Sequence, residues 1–85
     1  SAVRERMMMM GARVGAVATS LQGLQREQSQ QGVGLRSDMV AAQQRLNYQM
    51  NEAQASLNQN DAAAVKKRLD AAERDLERLE TFLGK

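Results

Sequence analysis

The chain has no cysteine, histidine, tryptophan or proline, and its aromatic supply is one tyrosine and one phenylalanine. Without cysteine there is no disulfide framework and no thiolate nucleophile, and the redox compartment stays open. With histidine absent as well, a zinc or copper site lacks its usual ligands. The missing proline removes the residue that most often interrupts a helix, which suits long unbroken ones. Few aromatics mean few large core anchors. At 85 residues a single core stabilises only thinly, so help from self-association or from a parent protein is expected. A formal net charge of +2 is too small to imply a polyanionic partner by itself.

Long hydrophobic runs are lacking too. Met7–Leu21 leans apolar and follows Arg4 and Arg6, the arrangement of an export signal or anchor. Arg13 sits in its middle, and the run falls short of the roughly 20 apolar residues a membrane span requires. Neither a transmembrane segment nor an export signal is expected. Ser1 reads as a cleavage scar or a boundary and is set aside. A single module (residues 1–85) cut from a longer protein is expected from the thin core.

What is present is periodicity. Val3, Met7, Met10, Val14, Val17, Leu21 and Leu24 follow one another in alternating steps of four and three. That spacing keeps side chains on one narrow stripe of an α-helix. The helix is predicted over about 2–30, ending where Gly32 and Gly34 tolerate left-handed backbone. Ser37-Asp38 reads as the cap of a second helix over 37–58, with a stripe through Met39, Gln43, Leu46, Met50, Ala53 and Leu57. Asn60 or Asp61 can cap a third over 61–83, striped by Ala62, Val65, Leu69, Ala72, Leu76, Leu79 and Leu83. Gly84 stops it.

Folding the second helix back on the third places Ala53 by Val65, Met50 by Leu69 and Leu46 by Ala72. The same register sets Glu52 near Lys66 and Lys67, and Arg45 near Glu73, so apolar stripe and charge agree. The fold class expected is all-α, an antiparallel helical hairpin plus a longer N-terminal helix. These form a three-helix bundle or a coiled-coil-like oligomeric bundle. In an up-down-up bundle Arg4, Arg6 and Arg13 would crowd Lys66, Lys67 and Arg68, with Glu73, Asp75, Glu77 and Glu80 at the far end. Charge therefore favours a first helix packed on a neighbouring chain, a dimer before higher forms.

Met7–Met10 serves ordinarily as adaptable core filler. Met8 and Met9 point away from the seam, however, and can form a second contact face. Gly11, Gly15 and Ala18 flank the seam, and each helical glycine costs about 1 kcal/mol relative to alanine. Close approach of another helix is the natural offset. These five residues are the candidate partner-binding set. Lys66-Lys67-Arg68, with Arg4, Arg6 and Arg13, is the basic patch, read first as a solvated face pairing with Glu52 and Asp70. Nucleic-acid binding would want a docking motif, more charge or aromatic platforms, and is disfavoured.

Gly32-Val33-Gly34 lacks the strand and the Lys-Ser/Thr of a phosphate loop. Asp70, Glu73 and Glu77 lie on an open helix surface that offers no cleft to shift their pKa. No catalytic residue, metal ligand, cofactor or small-molecule substrate is assigned, and an enzyme is not expected.

Ala53, Leu57, Asn60-Asp61-Ala62 and Ala71-Ala72 resemble a tetratricopeptide helix–turn–helix junction across about half the chain. The aromatic and proline positions of that repeat are missing and no second copy follows. Ala71–Leu76 with Phe82–Lys85 resembles helical tails of bacterial signalling and envelope proteins. The sequence thus leads to a helical oligomerisation module that self-associates through its first helix. The alternatives are an adaptor docking a partner helix in a signalling or envelope protein, or an electrostatic binder of nucleic acid or anionic lipid. Nothing in it fixes a compartment.

Overall fold

A computed structural model describes every residue from Ser1 to Lys85. It has three helices and no strand: α1 (Ala2–Gln30), α2 (Ser37–Asn58) and α3 (Ala62–Phe82). The bundle is a rod of 46 × 18 × 18 Å, about as long as α1 alone at roughly 1.5 Å per residue.

Each helix ends by the same device. Gly32 adopts φ +75°, Asn60 +58° and Gly84 +75°. These left-handed residues let the next amide reach back, from Val33 to the Gln28 carbonyl, Asp61 to Ser56 and Lys85 to Glu80. This is the Schellman closure, which satisfies carbonyls the helix leaves open. The starts differ. Ser1 accepts from the Arg4 amide, and Asp61 accepts from the Ala64 amide. The expected Ser37-Asp38 cap does not form. Arg36 holds the cap position without a side-chain bond, and Ser37 is already helical. Asp38 is instead engaged by the Arg36 guanidinium at 2.7 and 3.0 Å.

Twelve apolar side chains form one buried cluster, all but Ala42 drawn from the three stripes. Met10, Val17 and Leu21 come from α1; Met39, Ala42, Leu46 and Ala53 from α2; Val65, Leu69, Ala72, Leu76 and Leu79 from α3. Val3, Met7, Val14, Met50, Leu57 and Leu83 pack half-buried around it. The antiparallel α2–α3 hairpin is the principal contact, and α1 lies against α3 while barely touching α2.

The three-helix bundle stands, and one expectation about its charges does not. α1 runs parallel to α3 within the chain without crowding like charges. Arg6 reaches Asp70 at 2.7 Å and Glu73 at 3.1 Å; Arg13 reaches Glu73 at 3.1 Å and Glu80 at 2.8 Å. The register sets Arg6 and Arg13 beside the acidic edge of α3, and where Arg6 comes near Lys66 the Asp70 carboxylate lies between them. Treating whole helix ends as blocks of charge hid this, since opposite charges here interleave turn by turn. The hairpin's pairs differ similarly. Arg45 holds Asp75, not Glu73, by two bonds at 3.0 and 3.1 Å. Glu52 faces Arg68 at 4.0 Å. Glu73 lies on the edge of α3 that turns toward α1, whereas Asp75 lies on the edge toward α2.

Candidate interaction surfaces

The inner edge of α1 is held by its arginines. Arg13 lies between Glu73 and Glu80, and the hydrogen bonds it donates to Glu80 foremost raise its pKa above the ordinary guanidinium value. Reciprocally, Arg13 holds the Glu80 carboxyl below its usual range. The Asp70 carboxyl is lowered too, first by Lys66 at 2.9 Å and then by Arg6. These groups are partly in water, where solvent screening leaves such pairs to fix register more than to stabilise.

The outer face of α1 has no such partners. Met8 and Met9 are 76 % and 69 % exposed. Gly11 and Gly15 are exposed, and a methyl group built at either meets nothing within 4 Å. The same holds for Gly23. Ala18 turns half inward, so it borders the face instead of lying on it. The close helix approach that would offset these glycines is therefore not supplied within the chain.

The basic patch is dispersed by the fold. Arg6, Arg13, Lys66 and Arg68 each meet a carboxylate, while Arg4 and Lys67 stay in solvent. The pairing of Lys66 with Asp70 and of Arg68 with Glu52 is the ordinary solvated-face reading.

A second group of cations was not singled out from the sequence. Arg45, Arg74 and Arg78, with Gln49, Ala71 and Asp75, line an open trough of about 460 Å³ along α2 and α3. It adjoins a second of about 500 Å³ that shares Arg74 and Arg78 and runs on to Arg36, Met39 and Phe82. A signal was there: Lys67, Arg74 and Arg78 are spaced by seven and four, one stripe of α3. The contiguous Lys66-Lys67-Arg68 run drew attention from it.

No group of three or more His, Cys, Asp or Glu side chains is gathered as a metal site would require, and no helix is long and apolar enough to cross a membrane. The fold thus defines a small all-α three-helix bundle. Compared with known proteins, the chain matches no family model, no curated protein and no solved structure.

Proposed function

We propose that the chain is a non-enzymatic helical interaction module that self-associates through the outer face of α1. The observation that carries this reading is the wide exposure of Met8 and Met9 on a face otherwise lined by small residues. Glu5, Met8, Ala12, Gly15, Thr19, Gly23 and Arg26 follow in steps of three or four, which makes them a second stripe, opposite the buried one. Between Glu5 and Arg26 this stripe carries no charge. Small residues allow close backbone approach, and covering a methionine releases roughly 1.5–3 kcal/mol. That gain offsets helical glycines costing about 1 kcal/mol each.

The stripe is complementary to an inverted copy of itself. An antiparallel pairing centred between Gly15 and Ala16 sets Glu5 opposite Arg26 of the second copy and Met8 opposite its Gly23. Ala12 then meets Thr19. A parallel pairing would instead oppose Glu5 to Glu5 and Arg26 to Arg26, which like-charge repulsion disfavours. The charges choose the orientation, and the methionines and glycines supply contact.

Sedimentation equilibrium with charge reversal tests this. A dimer is expected, weakened by Glu5→Arg or Arg26→Glu alone and recovered in the double variant. A monomer at every concentration overturns the reading. A dimer indifferent to both reversals overturns the antiparallel register.

A further inference from the structure

The trough between α2 and α3 has a charge pattern that the bundle itself uses only in part. Asp75 on its floor is only 8 % exposed, and both of its oxygens already accept from Arg45. Arg78 approaches it no closer than 3.8 Å. Arg74 is exposed and enters no ion pair in the bundle. Two guanidiniums one helical turn apart therefore face the same open space, beside a carboxylate that is already satisfied. On the other edge of α3 the pattern is reversed: Asp70, Glu73 and Glu80 are all occupied by α1. The fold spends carboxylates on one side of α3 and leaves cations on the other.

We propose that this trough docks an acidic helix of a partner protein, with Arg74 and Arg78 receiving carboxylates spaced one turn apart. A guanidinium presents a planar fork of N–H donors that fits a carboxylate with two parallel bonds. Carboxylates four residues apart on a helix laid along α3 repeat the spacing of Arg74 and Arg78. α3 already accepts a helix in this manner, with the charges exchanged, because α1 presents Arg6 and Arg13 to its acidic edge. The trough also argues against a polyphosphate chain. Its lining includes Asp75 and Glu77, so closely spaced phosphates would meet carboxylates, whereas separated carboxylates can avoid them. This site lies apart from the outer face of α1 and does not depend on it.

The test uses the full chain and an alanine-based helical peptide of about 20 residues, long enough to be helical alone, with glutamates four residues apart. The same peptide with glutamines, an oligouridylate and phosphatidylserine vesicles run beside it. Binding is read from the arginine Nε–Hε resonances and by fluorescence anisotropy. The glutamate peptide should shift the Arg74 and Arg78 signals. Arg74→Gln and Arg78→Gln should each weaken it by about fivefold, the effect of losing one solvent-facing ion pair. Lys85→Gln should change little. Circular dichroism checks that both variants remain folded. Equal binding of the glutamine peptide, indifference to both arginine variants, or preference for the oligouridylate or the vesicles would overturn the proposal.

Discussion

The two faces of α1 differ in what answers them. Inward, Met10, Val17 and Leu21 are buried, and Arg6 and Arg13 are matched by Asp70, Glu73 and Glu80. Outward, Met8 and Met9 stand in solvent, and the glycines between them and Gly23 have no neighbour where a methyl would go. The inner face explains why α1 joins this bundle. Folding the single chain gains nothing from the composition of the outer face. A helix that retains glycines where alanine would fit freely is better suited to contact with another surface than to its own stability.

The contrast can be broken most forcefully from within. Leu21→Ala, or Leu69→Ala on the facing wall, should cost roughly 2–5 kcal/mol and unfold much of a module this small. A thermal melt close to that of the unaltered chain would mean the inner seam is misassigned. Arg13→Gln should cost about 1 kcal/mol, kept low by solvent, and the cost should shrink with added salt. A salt-independent loss in denaturant titrations would show that Arg13 acts by packing alone.

The same contacts give a pH dependence with a definite sign. The Glu80 and Asp70 carboxyls are held below their unfolded values, by Arg13 and by Lys66 with Arg6 respectively. Their contribution is full above the unfolded carboxylate range and is lost as pH falls through the lowered folded values. Acidification from neutrality should therefore loosen α1 ahead of the hairpin, followed by hydrogen exchange. Glu80→Gln should flatten that response.

On the outer face the expected effects are smaller, and one changes sign. Gly15→Ala should raise monomer stability by about 0.4–1 kcal/mol, because the added methyl meets open space and the unfolded chain loses freedom. Gly15→Leu should be tolerated by the monomer yet weaken assembly. If it raises helicity and leaves the assembled mass unchanged, the glycine face is a bystander. Met8→Ala should leave monomer stability within about 0.5 kcal/mol, as exposed positions generally do.

The helices were legible in the sequence because most boundaries are written in local chemistry, the uncapped start of α2 being the exception. Gly32, Asn60 and Gly84 occupy left-handed positions, Asp61 caps α3, and the apolar steps of three and four select most of the buried residues, missing Ala42 and including Ala62, which is exposed. Side-specific charge was not legible. Pairing Arg45 with Asp75 instead of Glu73 depends on which edge of α3 faces α2, and a register of levels along the axis leaves that rotation open. The parallel seat of α1 was weighed and disfavoured on charge for the same reason, since Arg6 and Arg13 find acids only once α1 is set beside a particular edge. The exposure of Met8 and Met9 was readable from their departure from the seam. The trough at Arg74 and Arg78 required two helices to be brought together.

Because the chain has no cysteine, Ala16→Cys introduces a single thiol close to the proposed centre of self-pairing. Oxidation at a concentration where the dimer forms should join two chains through that position, since close helices bring the thiols within bonding reach. The control Gln59→Cys, placed at the α2–α3 turn, should remain monomeric. A lack of cross-linking at residue 16, or cross-linking equal to that of the control, would contradict self-association through the outer face of α1.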